Sequence, residues 1–210
     1  MSTQEPETDG RTDEQSSQQQ RPEQQLPIIS AADSGRENRV RVRFDEHIAE
    51  MLKDHARERS LSVSTYSDQD YRNHLLGFAS EVAVATWLNG DVDTRVLDDY
   101  EGDGGVDVIA PSKRGSGQHR VQVKATKDIA NPERAIPRDE TSNIDLAVLA
   151  CSDIPERYVE IVGFAKRDML ESMDDAYGRN GPMLHEEMLY QMHGRRYEPA
   201  DVRETVGTIR

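Results

Sequence analysis

The chain has little cysteine, little lysine, few aromatics and no long apolar run, and each shortage excludes something. Cys151 is the only cysteine in 210 residues, so no intramolecular disulfide can form. It closes the apolar run Leu146-Ala147-Val148-Leu149-Ala150-Cys151, which predicts a buried, unreactive thiol. One cysteine and six scattered histidines do not give the ligand spacing of a zinc site. There is no glycine-rich loop followed by Lys-Ser/Thr, which argues against a nucleoside triphosphate site. Gly102-Asp103-Gly104-Gly105 leads into a strand rather than a helix, so it is a turn and not a dinucleotide fingerprint. Serine and cysteine triads find no support. No apolar stretch approaches the length of a membrane span, and the N-terminus has no signal-peptide core. A soluble cytoplasmic protein without a membrane partner is expected. Hydrophobic residues make up 35% of the chain, aromatics 5%, and mean hydropathy is −0.81. One modest core is expected, with part of the chain outside it.

The charge balance is strongly acidic, with a net charge of −14. Nucleic-acid binding ordinarily needs a basic footprint. Of 26 basic residues, however, only Lys53, Lys113, Lys124, Lys127 and Lys166 are lysine. Abundant Asp and Glu with few lysines resembles proteins of salt-loving, halophilic organisms. At about 1 M salt the Debye length is about 3 Å, and global repulsion is muted. Net charge then bears on solubility more than on the choice of partner. This reading expects unfolding to depend on KCl concentration.

Residues 1–37 are rich in Gln, Glu, Ser, Asp and Thr without apolar periodicity, which predicts a disordered tail. Residues 38–66 read as a strand and a helix. Val40, Val42 and Phe44 alternate with Arg39, Arg41 and Arg43. The arginine stripe is either a solvated strand face or an edge that contacts phosphates. Asp45 caps a helix carrying Ile48, Met51, Leu52 and His55, which runs to about Arg59. A longer helix follows from about Ser67 to Leu88. His74 and Glu81, seven positions apart, share an azimuth on it, with Gly77 one turn before Glu81. A carboxylate in the mostly apolar segment Gly77 to Ala85 needs solvent, a cation or a donor. The residues alone leave open whether Glu81 is a surface acid or part of a site.

Asn89-Gly90 stops that helix, and Thr94 to Leu97 suggests a short strand. Val106, Val108 and Ile109 form the next strand and Val121 to Lys124 another, joined by a polar hairpin loop from Pro111 to Gln118. Within the second, Gln122 and Lys124 share one face and the valines the other. An Asp, a Gln and a Lys on one sheet surface suit a divalent metal and an activated water. Lys127 to Asn143, with Pro132 and Pro137, leaves room for only a short helix. Leu146 to Cys151 reads as a strand covered on both faces, Tyr158 to Phe164 as another, Lys166 to Met173 as a short helix, and Leu184 to Met192 as a small helix bearing His185.

Asp107, Gln122-Val123-Lys124 and the preceding helical Glu81 resemble the PD-(D/E)XK nuclease superfamily over roughly Tyr71 to Phe164. The family pattern is a helical Glu, an Asp, then (Asp/Glu)-x-Lys, and Gln122 stands where the second acid usually stands. The resemblance implies an α/β fold with a restriction-endonuclease-like core at residues 67–175, a central mixed β-sheet flanked by helices; residues 176–210, outside the resemblance, read as a helical or irregular extension. It also implies an endonuclease that hydrolyses phosphodiester bonds of nucleic acid, DNA before RNA, with Mg²⁺ or Mn²⁺. Asp107 would be the principal metal ligand, with Glu81 and Gln122 beside it, and Lys124 would orient or deprotonate the attacking water. His74, Lys113, Arg114 and Lys127 are the candidate nucleic-acid contacts. Double-strand breaks would need two active sites and hence a homodimer. Two other readings compete: a non-catalytic nucleic-acid-binding module of the same fold, marked by Gln122, and an acidic interaction protein.

Overall fold

The computed structural model describes residues 29–30, 38–62, 67–92, 105–112, 117–176 and 180–190. The expected strand at Thr94 to Leu97, the loop residues Lys113 and Arg114, and most of the expected tail and C-terminal extension lie outside these. Within the stretch expected to be tail, Ile29–Ser30 forms a two-residue strand, β1.

The chain then runs through β2 (Val40–Arg43), α1 (Glu46–Ser62), α2 (Asp68–Leu88), β3 (Asp91–Val92), β4 (Val108–Pro111), β5 (Gln118–Thr126), β6 (Glu133–Ala135), α3 (Arg138–Thr141), β7 (Leu146–Cys151), β8 (Tyr158–Lys166), α4 (Arg167–Ser172) and β9 (Met183–His185). Seven strands form one sheet in the order β1-β2-β8-β7-β5-β4-β3. β5 and β7 run parallel, and the other neighbouring pairs are antiparallel. β6 and β9 pair as a separate two-stranded sheet. The architecture is mixed α/β: a mixed central sheet flanked by helices. No described helix is long and apolar enough to cross a membrane.

The helices start and stop where their sequence dictates. The Asp45 carboxylate accepts from the Ile48 backbone N–H at 2.9 Å and opens α1. Ser67 Oγ accepts from the Asp70 N–H at 3.1 Å and opens α2. Asn89 adopts a left-handed φ of 52° and closes it. The segment expected to be a connection from Ser60 onward instead continues α1 to Ser62.

Two cores cover the two faces of the sheet. On one face, Leu52 and Ala56 of α1 and Phe78, Val82 and Ala85 of α2 pack on Val108, Val121, Val123 and Val148. On the other, Ile136, Ile144, Leu170 and Leu184 pack on Ala147, Leu149, Cys151 and Val162. Burying one such side chain contributes about 1.5–3 kcal/mol. Cys151 is buried, as its apolar run predicts.

Two of the three arginines of the β2 stripe are paired with acids, and Arg43 is exposed. Arg41 sits directly across from Glu160 of β8 and bonds it through Nε at 3.1 Å. Arg39, 2% exposed, bonds Glu160 Oε2 at 3.1 Å and Glu186 Oε1 at 2.8 Å. Acids distant in sequence neutralise these two arginines. The segment from Leu184 departs from its expected helix: Met183–His185 pairs with Glu133–Ala135, and only a 3₁₀ turn, Glu186–Met188, follows. Its partner strand lies some fifty residues away, where local periodicity cannot register it.

Candidate active site

Three of the expected site residues come together because of strand register. Val108 pairs with Val121 across β4 and β5, which brings Asp107, one residue before β4, beside the middle of β5. Gln122 pairs with Ala147 and Lys124 with Leu149 across the parallel β5–β7 ladder. Ala147 and Leu149 belong to the core that contains α4, so Gln122 and Lys124 look toward that side. Asp107 is anchored at the start of β4. Its N–H donates to the Val121 carbonyl at 2.9 Å, and its Oδ2 accepts from the Val123 N–H at 2.6 Å.

A fourth residue, absent from the sequence expectations, completes the group. The Glu140 carboxylate accepts from Gln122 Nε2 and, at 3.1 Å, from Lys124 Nζ. Glu140 sits on the four-residue α3, which follows Pro137. Buried Ile136 and Ile144 anchor the chain on either side of α3. Arg138 ties it to the end of α4 through the Leu170 carbonyl at 3.0 Å and the Met173 carbonyl at 2.7 Å. Gly181, at φ +142°, lets the chain pass close to this segment, because a Cβ there would stand 1.8 Å from the Ile136 carbonyl oxygen. Glu140 therefore has a fixed seat, although its segment carries no periodic signal. Gly105 closes the other side of the group. Its φ is +81°, and a Cβ there would stand 2.6 Å from Gln122 Nε2 and 3.2 Å from the Glu140 side chain.

The donor set is hard oxygen. Gln122 is 1% exposed, and its Oε1 is buried without a hydrogen-bond partner. A buried amide oxygen left so costs about 1–3 kcal/mol unless something meets it. That amide oxygen and the Asp107 and Glu140 carboxylates are of the chemical kind that a magnesium-type cation takes, since it uses few carboxylates and keeps several waters. Among the described residues no three His, Cys, Asp or Glu side chains group as metal ligands. A site here therefore depends on the Gln122 amide as well as the acids. The Lys124 and Glu140 side chains are partly exposed, at 24% and 29%, so the group is open to solvent on one side.

The structure does not bring Glu81 to this group. Helix α2 packs on the face that carries Val121 and Val123, whereas Gln122 and Lys124 point to the other. Strand alternation alone separates them. The Glu81 carboxylate instead lies 3.6 Å from Arg59 Nη1 of α1. The Arg59 guanidinium sits over the Phe78 ring at 5.8 Å, and His55 stacks on that ring at 3.7 Å. Burial, with Arg59 and then His74 beside it, lowers the His55 pKa to about 4. Burial and Arg59 also lower that of His74. His74 thus belongs to the α1–α2 layer with Glu81 and not to the Lys124 group. Lys127 is exposed just beyond β5.

No protein-family model, curated protein or solved structure matches this chain.

Proposed function

We propose that this protein is a metal-dependent nuclease with a restriction-endonuclease-like, PD-(D/E)XK core, hydrolysing phosphodiester bonds of nucleic acid, DNA before RNA. One observation carries the reading: the Glu140 carboxylate meets both Gln122 and Lys124 of β5, and the Asp107 carboxylate accepts from Val123 N–H between them. The further acid of the group is then Glu140 rather than Glu81; it follows Lys124 in the chain, whereas the pattern puts its helical acid before Asp107.

Asp107, Glu140 and the Gln122 Oε1 would hold Mg²⁺ or Mn²⁺. Such an ion, when bound, lowers the pKa of a water and polarises the phosphate. The remaining work falls to the chain. Lys124 has three donor hydrogens, and Glu140 accepts one. The others are available to orient the attacking water and to stabilise negative charge on the phosphoryl oxygens. Glu140 fixes the ammonium so that it does not wander at the moment of reaction. Gln122 in place of an acid makes the site less anionic, which eases the approach of a phosphate in an acid-rich chain. Cutting both strands of a duplex takes two such sites, hence a homodimer.

The test is cleavage of DNA in Mg²⁺ or Mn²⁺. Asp107→Ala and Lys124→Ala should each lower the rate by at least about 10²-fold while the folded state persists. Wild-type rates in either variant contradict the reading. Gln122 also favours a second reading, a non-catalytic nucleic-acid-binding module, which predicts DNA binding with no cleavage in either metal.

A further inference from the structure

We propose a second site, a nucleoside-monophosphate pocket between α2 and the loops that leave β5 and β7. It is a cleft of about 380 Å³ that reaches from Lys53 of α1, along the first turns of α2, to Lys127 and the segment from Ser152 to Glu156. The volume falls in the range that takes a small organic ligand, about 300–1,000 Å³. The two loops follow the carboxyl ends of the parallel pair β5 and β7, and crevices outside such ends are common ligand positions in α/β sheets. Leu75 places the cleft on the α1–α2 side of the sheet, away from the face of Gln122 and Lys124. The proposal therefore stands apart from the nuclease reading.

Charge indicates the anionic half of the ligand. In a chain of net charge −14, most described cations near an acid are engaged by it. Lys53 is held by Glu50 at 2.9 Å. Arg72 and Lys127 both line the cleft, and among the described residues neither side chain makes a hydrogen bond or ion pair. The lining also holds Asp153, which accepts from the Tyr158 hydroxyl, and Glu156; beside them the two uncommitted cations suit a phosphate monoester, which carries about −1.5 to −2 charges at neutral pH. Arginine adds two parallel donors matched to phosphate oxygens.

The remaining lining indicates the other half. Tyr71, Leu75 and Pro155 offer an aromatic and two apolar surfaces for a planar ring. Gln69 Nε2 donates to Asn73 Oδ1 at 2.9 Å. That bond leaves the Gln69 carbonyl and the Asn73 amide hydrogens for the edge of a base. The half-buried Glu156 is a ready acceptor for sugar hydroxyls. Inorganic phosphate would use only the cations and leave the rest of the cleft unfilled. The nucleoside monophosphate could be free or could be the phosphorylated 5′ end of a strand; the recognition chemistry is the same.

The experiment is titration of the full chain, in the Asp107→Ala background so that no strand is cut, with a nucleoside 5′-monophosphate, inorganic phosphate, and a short oligonucleotide with and without a 5′-phosphate. The nucleotide should bind in the micromolar to millimolar range and more tightly than inorganic phosphate. Arg72→Ala and Lys127→Ala should each weaken it by about tenfold. Both side chains are exposed, so unchanged thermal melting will show that the variants fold. Tighter binding of the 5′-phosphorylated oligonucleotide than of its unphosphorylated twin, lost in the same variants, would assign the pocket to strand ends. Binding of the free nucleotide alone would assign it to the free nucleotide. The proposal is overturned if neither form binds, if inorganic phosphate binds as well as the nucleotide, or if both variants bind like the parent.

Discussion

Lys124 Nζ lies 3.1 Å from Oε2 of Glu140, and the same oxygen accepts from Gln122 Nε2. A four-residue helix thus delivers a carboxylate onto the middle of β5. The geometry links local folding of the polar stretch after Lys127 to the chemistry of the sheet. Disturbing that seat should disturb the site before it disturbs the core.

Gly105 gives a first check. Its φ of +81° and the 2.6 Å approach of Gln122 Nε2 leave no room for a methyl group. Gly105→Ala should destabilise the fold by about 1–3 kcal/mol and displace Gln122. Denaturant unfolding measures the first effect. Cleavage per folded molecule measures the second and should fall. Wild-type values in both would mean that the turn has another conformation.

Glu160 gives a second. Its side chain is 4% exposed and serves Arg39, whose side chain is 1% exposed, as well as Arg41. Glu160→Gln removes the carboxylate shared by the buried Arg39, which keeps Glu186, and the partly exposed Arg41. Removing one partner of a buried ion pair costs about 3–5 kcal/mol. Because the network is shielded from solvent, added KCl should restore little of the loss. Full rescue by salt would show that the network is solvated.

His55 sets a pH dependence. Burial, then Arg59 and His74, hold its folded-state pKa down at about 4. In the unfolded chain it titrates near its ordinary value of about 6.5. The unfolded state therefore binds the extra proton first as pH falls. The stability that His55 permits is complete above about pH 6.5 and drains away toward pH 4. His74 shifts in the same direction and adds to the slope. Denaturant unfolding at about pH 7 and about pH 5 should show a loss of stability on acidification, and His55→Gln should make that loss smaller. An unchanged difference would remove His55 as its source.

Much of this was legible in the residues. The alternation of Val121, Gln122, Val123 and Lys124 placed the polar pair on one face. Ser67 and Asn89 marked the ends of α2 within a residue. Glu140 was not legible, because its seat depends on Ile136, Ile144 and Arg138 meeting elements that follow in the chain. The position of Glu81 could be read only in half. Its apolar surroundings called for solvent, a cation or a donor, and the structure sets Arg59 beside it. Which face of the sheet α2 would cover is a tertiary choice that helical periodicity does not encode. The pairing of β6 with β9 escaped for a similar reason, since its two halves are remote in sequence.

The most direct measurement compares Glu140→Gln with Glu81→Gln in Mg²⁺-dependent cleavage of DNA. Both changes keep size and shape and remove one charge. Glu140→Gln should lose at least about 10²-fold in rate, while Glu81→Gln, at equal folded fraction, should cleave within a few-fold of wild type. Full activity in Glu140→Gln together with its loss in Glu81→Gln would contradict the account and return the second acid to α2.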